Sequence, residues 1–333
     1  MTTDIGLLAE DLTSEVLDSV FGETTPNTAP TLVLLTGQPG SGSARAIGRI
    51  SDEHEGVAVV SAEDLRALHP DYRELAESRS PEAARELSEA TAAWVRACLA
   101  FARENRRSLI LEGNFTTPAL VTGVASGFAD EGFTTRVVMV AARRAESLMS
   151  TTSHYLSEIY EGRPARFVSR DANDQAVEAT RALALALESA DSIDRVTVLG
   201  RDGSTAFDHT RQADESTIPG LSAAFNAAQA RPLLSLQSVQ WLSELRRVTE
   251  YVESLREVPR PLTEVLMDLH ETALNEILPE LPVPEGSQAA RMQERRLAYS
   301  LAGLRQSLPV ERPIDTSRPV ATPSGPERGG LGR

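Results

Sequence analysis

The sequence predicts an α/β fold, a parallel sheet with helices on both faces, followed by a C-terminal helical region and a disordered tail. Three observations predict it. Short apolar runs that suit buried strands alternate with helical periodicity from residue 31 to about residue 209. The first of these runs, Leu32 to Leu35, breaks into the turn chemistry of GQPGSG at 37–42 and then resumes as a helical pattern. Beyond residue 210 the strand pattern stops, and helical stretches separated by prolines take over.

A strand, a glycine loop and a helix N-terminus in that order form a phosphate cradle. The loop's N–H groups turn inward and the helix dipole favours an anion. Against the phosphate-loop pattern G-x-x-x-x-G-K-[ST], Gly37 and Gly42 have the required spacing, which makes the expected architecture P-loop NTPase-like. The next two positions are Ser43 and Ala44. In the pattern, the lysine places a point charge on the terminal phosphates and the following hydroxyl ligates Mg²⁺. Ser43 does neither job well, Ala44 offers a metal nothing, and Arg45 is the nearest cation. The candidate nucleotide-binding residues are therefore Gly37, Gln38, Pro39, Gly40, Ser41, Gly42, Ser43, Ala44 and Arg45. A plain turn is the alternative, since Gly/Pro/Ser clusters between periodic segments are usually loops.

Taken in order, residues 4–21 carry Ile5, Leu8, Leu12, Val16, Val20 and Phe21 near a 3.6 period, an amphipathic helix, and 22–30 read as a linker. A helix over 43–54 follows the loop. Val57 to Val60 form a second strand that delivers Ser61 and Glu63 at its carboxyl end, where ligands bind in doubly wound folds. Both residues also suit a helix start, Ser61 as N-cap and Glu63 as first-turn acid. An Ala-rich helix over 81–105 precedes a third strand, Ser108 to Leu111, which again ends in a carboxylate, Glu112. Glu63 and Glu112 could flank one site. A helix over 117–130 leads to a fourth strand at 134–142. Residues 143–166 then hold Arg143, Arg144, Arg163 and Arg166 around His154 and Tyr155. Arginine forks match phosphate, although most surface arginines are simply solvated. A helix over 171–189 and a fifth strand with a turn at Asp202-Gly203 close the unit.

The expected division is an N-terminal helix and linker (1–30), a P-loop domain (31–209), a helical accessory region (210–308) and a disordered tail (309–333) rich in Pro, Gly and Arg. Helical stretches near 234–256, 261–278 and 287–307 carry no chemical motif.

Composition narrows the function classes. The formal net charge is −15, which argues against a nucleic-acid binder. No apolar run approaches the roughly 18 residues of a membrane span, and no signal peptide is visible, so a cytoplasmic protein is expected. The single cysteine, Cys98, excludes an intramolecular disulfide framework and a cysteine-based zinc site, and no metal ligand set is expected. All 33 basic residues are arginine, a bias that fits GC-rich codon usage or selection against lysine modification.

The order of motifs resembles the zeta toxin family, kinases of bacterial toxin–antitoxin systems. The matching pieces are GQPGSG at 37–42, the carboxylate and HP after the second strand (Glu63, His69, Pro70), LEG at 111–113, SLMSTTSHYLSEIY at 147–160, ARFVSRDAND at 165–174 and RDG at 201–203. The resemblance covers about 4–208. It implies transfer of the γ-phosphate of ATP, with Mg²⁺, to the 3′-hydroxyl of UDP-N-acetylglucosamine, and an antitoxin-like partner. It places the family's catalytic aspartate on Glu63 and that residue's companion on Ser61. It also puts the family's two phosphate-binding arginines on His154 and Arg166, and the acceptor substrate near Glu112 and His154. The departures leave two readings. One is a kinase with Glu63 as base, Arg166 on the phosphates and Arg45 or Arg163 assisting. The other is a pseudokinase that senses a nucleotide or nucleotide-sugar, or binds a partner protein.

Overall fold

A computed structural model describes residues 2–308 except Arg79, Thr116 and Glu285. The tail expected to be disordered, 309–333, lies outside the described residues. The N-terminal helix α1 (Thr2–Phe21) leads to β1 (Thr31–Gly37), α2 (Ser43–Glu53), β2 (Ala58–Ser61), the short helices α3 (Ala62–Ala67) and α4 (Tyr72–Ser78), the long α5 (Pro81–Glu104) and β3 (Leu109–Glu112). There follow α6 (Pro118–Ala129), β4 (Thr134–Ala141), α7 (Arg144–Tyr160), α8 (Arg170–Leu187), β5 (Arg195–Gly200) and β6 (Thr205–Thr210). The chain continues through α9 (Leu221–Gln229), α10 (Ser235–Ser254), α11 (Arg260–Thr272), a wide π-helical turn (Ala273–Ile277) and α12 (Gln288–Ser307).

The six strands form one sheet in the order β2-β3-β1-β4-β5-β6. β1 to β5 are parallel, and β6 returns antiparallel to β5 through the turn that Asp202 and Gly203 announce. β1 is central and buried along Leu32–Thr36, as an uninterrupted apolar run requires of a strand covered on both faces. Alternate residues divide between the faces. Leu32 and Leu34 join a core with α1, α5, α6, α8 and α9, while Val33 and Leu35 pack with Ala46 and Ile50 of α2. Helices thus cover both faces of a P-loop kinase-like sheet.

Local chemistry starts the helices where expected. Ser61, Ser80, Ser169 and Ser287 each accept a hydrogen bond from a first-turn N–H of α3, α5, α8 and α12. The sheet's core reaches past residue 210, because Ile218, Leu221 and Phe225 are fully buried against it. A third core joins α7 to α10, α11 and α12 through Leu148, Trp241, Leu245, Leu266 and Leu304. Among the described residues no helix is long and apolar enough to cross a membrane.

Candidate nucleotide site

The GQPGSG loop connects the central strand to α2, and its shape depends on glycine. Gly40 has φ +76° and Gly42, the residue before α2, φ +101°, both in the left-handed region that alanine avoids. A Cβ on Gly40 would stand 2.5 Å from the Ser147 carbonyl oxygen of α7. Ser41 N–H donates to the Gln38 carbonyl (3.0 Å), closing a turn inside the loop. The Gln38 side chain is buried; its Nε2 donates to the Ala142 carbonyl at 2.6 Å and its Oε1 accepts from Gln229 at 3.3 Å. Arg181 on α8 holds Gln229 in turn, at 2.8 Å. The loop is thus fastened from inside the sheet, and its helix end presents the first-turn N–H groups of α2, of which that of Arg45 bonds the Gly42 carbonyl at 3.2 Å. Ser43 is half-buried, while Ala44 and Arg45 are exposed.

Beside the loop lies a cavity of about 690 Å³. Its walls come from Gly42, Ala44 and Arg45, from Glu146 and Ser153 on α7, from Arg201 and Asp202 after β5, and from Arg231, Gln237 and Trp241. Trp241 is held by its indole N–H on the Ala145 carbonyl (3.0 Å). Helix α10, in a region whose sequence shows no motif, therefore closes one wall. Asp202 caps its own turn through the Ser204 N–H (2.9 Å) and hydroxyl, bonds that hold its carboxyl below the usual carboxylate range. Arg49 of α2 donates to the Gly203 carbonyl (2.5 Å), tying that turn to the loop's helix. Arg201 donates to the Gly40 carbonyl. Burial pushes the carboxyl of nearby Glu146 up, against the pull of the Arg143 N–H and of Arg201.

The two carboxylates lie on the other side of the loop. Glu112 ends β3 in register with Leu35 of β1 and Ser61 of β2, so the three strand tips are aligned. Glu63 stands exposed in the first turn of α3, two residues beyond Ser61. Ser61 accepts from the Glu63 N–H (3.3 Å), the capping role weighed from sequence.

The remaining candidates are on or beyond α7. His154 is 60% exposed and faces Glu158 at 3.4 Å; Arg166 is exposed between α7 and α8; neither lines the cavity. Arg163 pairs with Glu161 at 2.9 Å. Arg143 and Arg144 hold the helical region instead. Arg143 bonds Glu280 at 2.8 Å, and Arg144 bonds Asp174 at 2.5 Å and Asp268 at 2.7 Å, so that the guanidinium of Arg144 is held charged. Sequence reasoning singled out neither Arg201 nor Glu146. Arg201 carried a usable signal, its place at the carboxyl end of a parallel strand. Gln237 and Trp241 carried none, because only packing on α7 brings α10 to the loop.

A glycine loop of P-loop type on the central strand, aligned strand tips and a cavity at the loop's edge define the class as a P-loop kinase-like α/β protein. The chain belongs to the zeta toxin family, whose family model matches residues 14–212. It is 26% identical over 153 residues to toxin zeta of Enterococcus hirae, a match covering 45% of this chain and 53% of that protein. To toxin zeta of Streptococcus pyogenes it is 25% identical over 153 residues, with the same coverage. The chain thus spans about half the length of the curated relatives it matches. Among solved structures, a chain from the PezAT chromosomal toxin–antitoxin system of Streptococcus pneumoniae aligns with a TM-score of 0.63 at 18% identity, covering 74% of this chain and 97% of that one. That likeness is one of fold.

Proposed function

We propose that this protein is a nucleotide-binding pseudokinase: the loop holds the polyphosphate of a nucleotide, ATP by family likeness, and the cavity takes its nucleoside. The observation that carries this is the contrast within the loop. The glycine-dependent cradle and its buried Gln38 fastening are intact, while Ser43 and Ala44 stand where a cation and a metal-ligating hydroxyl are needed. Ala44 offers no oxygen, so the loop does not fit Mg²⁺ as the phosphate-loop pattern binds it, and no step is routed through a metal. Loss of one preorganised electrostatic group costs a transfer reaction on the order of 100- to 1000-fold, and here two are gone.

In this reading Glu63 and Glu112 face a UDP-sugar without turning it over, with His154 and Arg166 as the family's phosphate positions. The alternative kinase reading would keep Glu63 as base and Arg166 on the transferring phosphate. An antitoxin-like protein in the cytoplasm is the proposed partner, by likeness to relatives named toxin zeta and to a chain from a toxin–antitoxin system.

Isothermal titration with ATP and with UDP-N-acetylglucosamine, followed by mass spectrometry of a mixture of both with the protein, tests the proposal. Binding of ATP without a phosphorylated sugar nucleotide is expected. Product that disappears in Glu63→Gln would overturn the pseudokinase reading, and no ATP binding would overturn the nucleotide site.

A further inference from the structure

Arg201 reaches the loop from the tip of β5, two strands away from the lysine position it adjoins. Its Nη1 donates to the Gly40 carbonyl, and its Cγ lies 3.4 Å from where a Cβ on Gly42 would stand. The side chain therefore touches both left-handed glycines of the cradle. One third of it (33%) remains open to the cavity, which it lines together with Arg45.

The guanidinium is poorly neutralised. Its acidic neighbour is Glu146, at 3.9 Å from Nε, too far for a hydrogen bond. The other oxygen of Glu146 accepts from the Arg143 N–H at 3.2 Å. A guanidinium carries five N–H donors, and among the described residues the Gly40 carbonyl is the one hydrogen-bond acceptor Arg201 has. Arg45 adds a second positive charge nearby and has no ion-pair partner among the described residues. Burial and the Arg45 charge both work against the charged form of Arg201, with Glu146 opposing them. An anion seated on the loop relieves that strain and meets the free forks, as guanidinium binds phosphate.

We propose that Arg201 supplies the positive charge of the phosphate cradle, taking the electrostatic place of the absent loop lysine, so that the loop holds a polyphosphate without a metal ion. This rests on the nucleotide-site reading above and adds to it a residue, a charge source and metal independence. A purely structural role, in which Arg201 only braces Gly40, is the competing account, and a cation restored at the loop's own lysine position separates the two, because it returns the charge without rebuilding the bond to the Gly40 carbonyl.

The full-length protein is titrated calorimetrically with ATP and with inorganic tripolyphosphate, in EDTA and in magnesium. Both ligands are expected to bind in EDTA, with tripolyphosphate affinity within about threefold of that in magnesium. Arg201→Gln, which loses both the charge and the reach to the Gly40 carbonyl, should weaken both on the order of 10- to 100-fold, and Arg201→Lys, which keeps the charge, should keep most of the affinity. Adding Ser43→Lys to Arg201→Gln should recover binding, which a lost brace could not explain. If Arg201→Gln binds tripolyphosphate as tightly as the unaltered protein, or if the Ser43→Lys addition recovers nothing, Arg201 is not the cation. Binding that appears only with magnesium overturns metal independence. If the unaltered protein binds ATP in neither buffer, the nucleotide site itself fails and this inference falls with it. If ATP binds and only the Arg201 variants behave wrongly, the site stands without this assignment.

Discussion

Replacing Gly40 by alanine tests whether the cradle's shape is set by backbone sterics. Two costs add. A non-glycine residue at φ +76° sits in the left-handed region, at about 1–2 kcal/mol. The new methyl would also meet the Ser147 carbonyl oxygen at 2.5 Å, Thr151 Cγ2 at 3.0 Å and Ser150 Cβ at 3.1 Å, all on α7. The first is a backbone atom in the first turn of α7, so α7 or the loop must shift, at about 1–3 kcal/mol for overpacking. The expected destabilisation is about 2–5 kcal/mol, a fall in melting temperature of roughly 4–15 °C for a protein of this size. Scanning calorimetry measures it, and loss of ATP binding should accompany it. Gly48→Ala is the control. Gly48 is exposed within α2 with no atom within 4 Å of its added Cβ, so alanine should stabilise by about 0.5–1 kcal/mol. A Gly40→Ala protein that melts within about 2 °C of the unaltered one would refute the reasoning, because the two costs could not then be present.

Two further perturbations test the scaffold. Arg136 on β4 is only 3% exposed, its Nη1 bonding Glu53 at 2.6 Å and its Nε donating to Thr197 at 3.2 Å. Glu53→Ala strands that guanidinium, at about 2–4 kcal/mol in urea unfolding; the usual figure for breaking a buried pair is discounted because Glu53 is one third exposed. His270 in α11 is buried, and burial holds its pKa below the ordinary value, against the Leu266 carbonyl that accepts from Nδ1 at 2.8 Å. A depressed histidine pKa means that the unfolded chain takes up the proton first. Its contribution is present above about pH 6.5 and is lost as pH falls toward the folded value. The melting temperature should therefore fall on acidification from about pH 7 to 5.5, and His270→Gln should flatten that fall. An equal slope in both proteins would show that other groups set it.

Much of the architecture was readable from residue order. The wholly apolar run Leu32–Leu35 reads as a buried strand and GQPGSG after it as a turn into a helix, so the central strand and its loop follow from burial and turn chemistry, while the left-handed conformations of Gly40 and Gly42 belong to the structure. Ser61 marks a helix start because a side-chain oxygen satisfies a first-turn N–H, and the structure adds Ser80, Ser169 and Ser287 in the same role. The carboxylates Glu63 and Glu112 were placed at strand tips because parallel strands end together. What residue order could not determine was which distant side chains meet. Among the arginines flagged between 143 and 166, Arg143 and Arg144 turn out to tie α7 to Glu280, Asp174 and Asp268, partners 30 to 137 positions away. Arg201, noted only as part of RDG, is the one that touches the loop. Charge type and spacing are local properties, whereas the partner of a charge is chosen by packing across the sheet. The loop's missing lysine was plain in the sequence; the arginine beside Gly40, and the wall that Trp241 builds next to it, were decided by the tertiary fold alone.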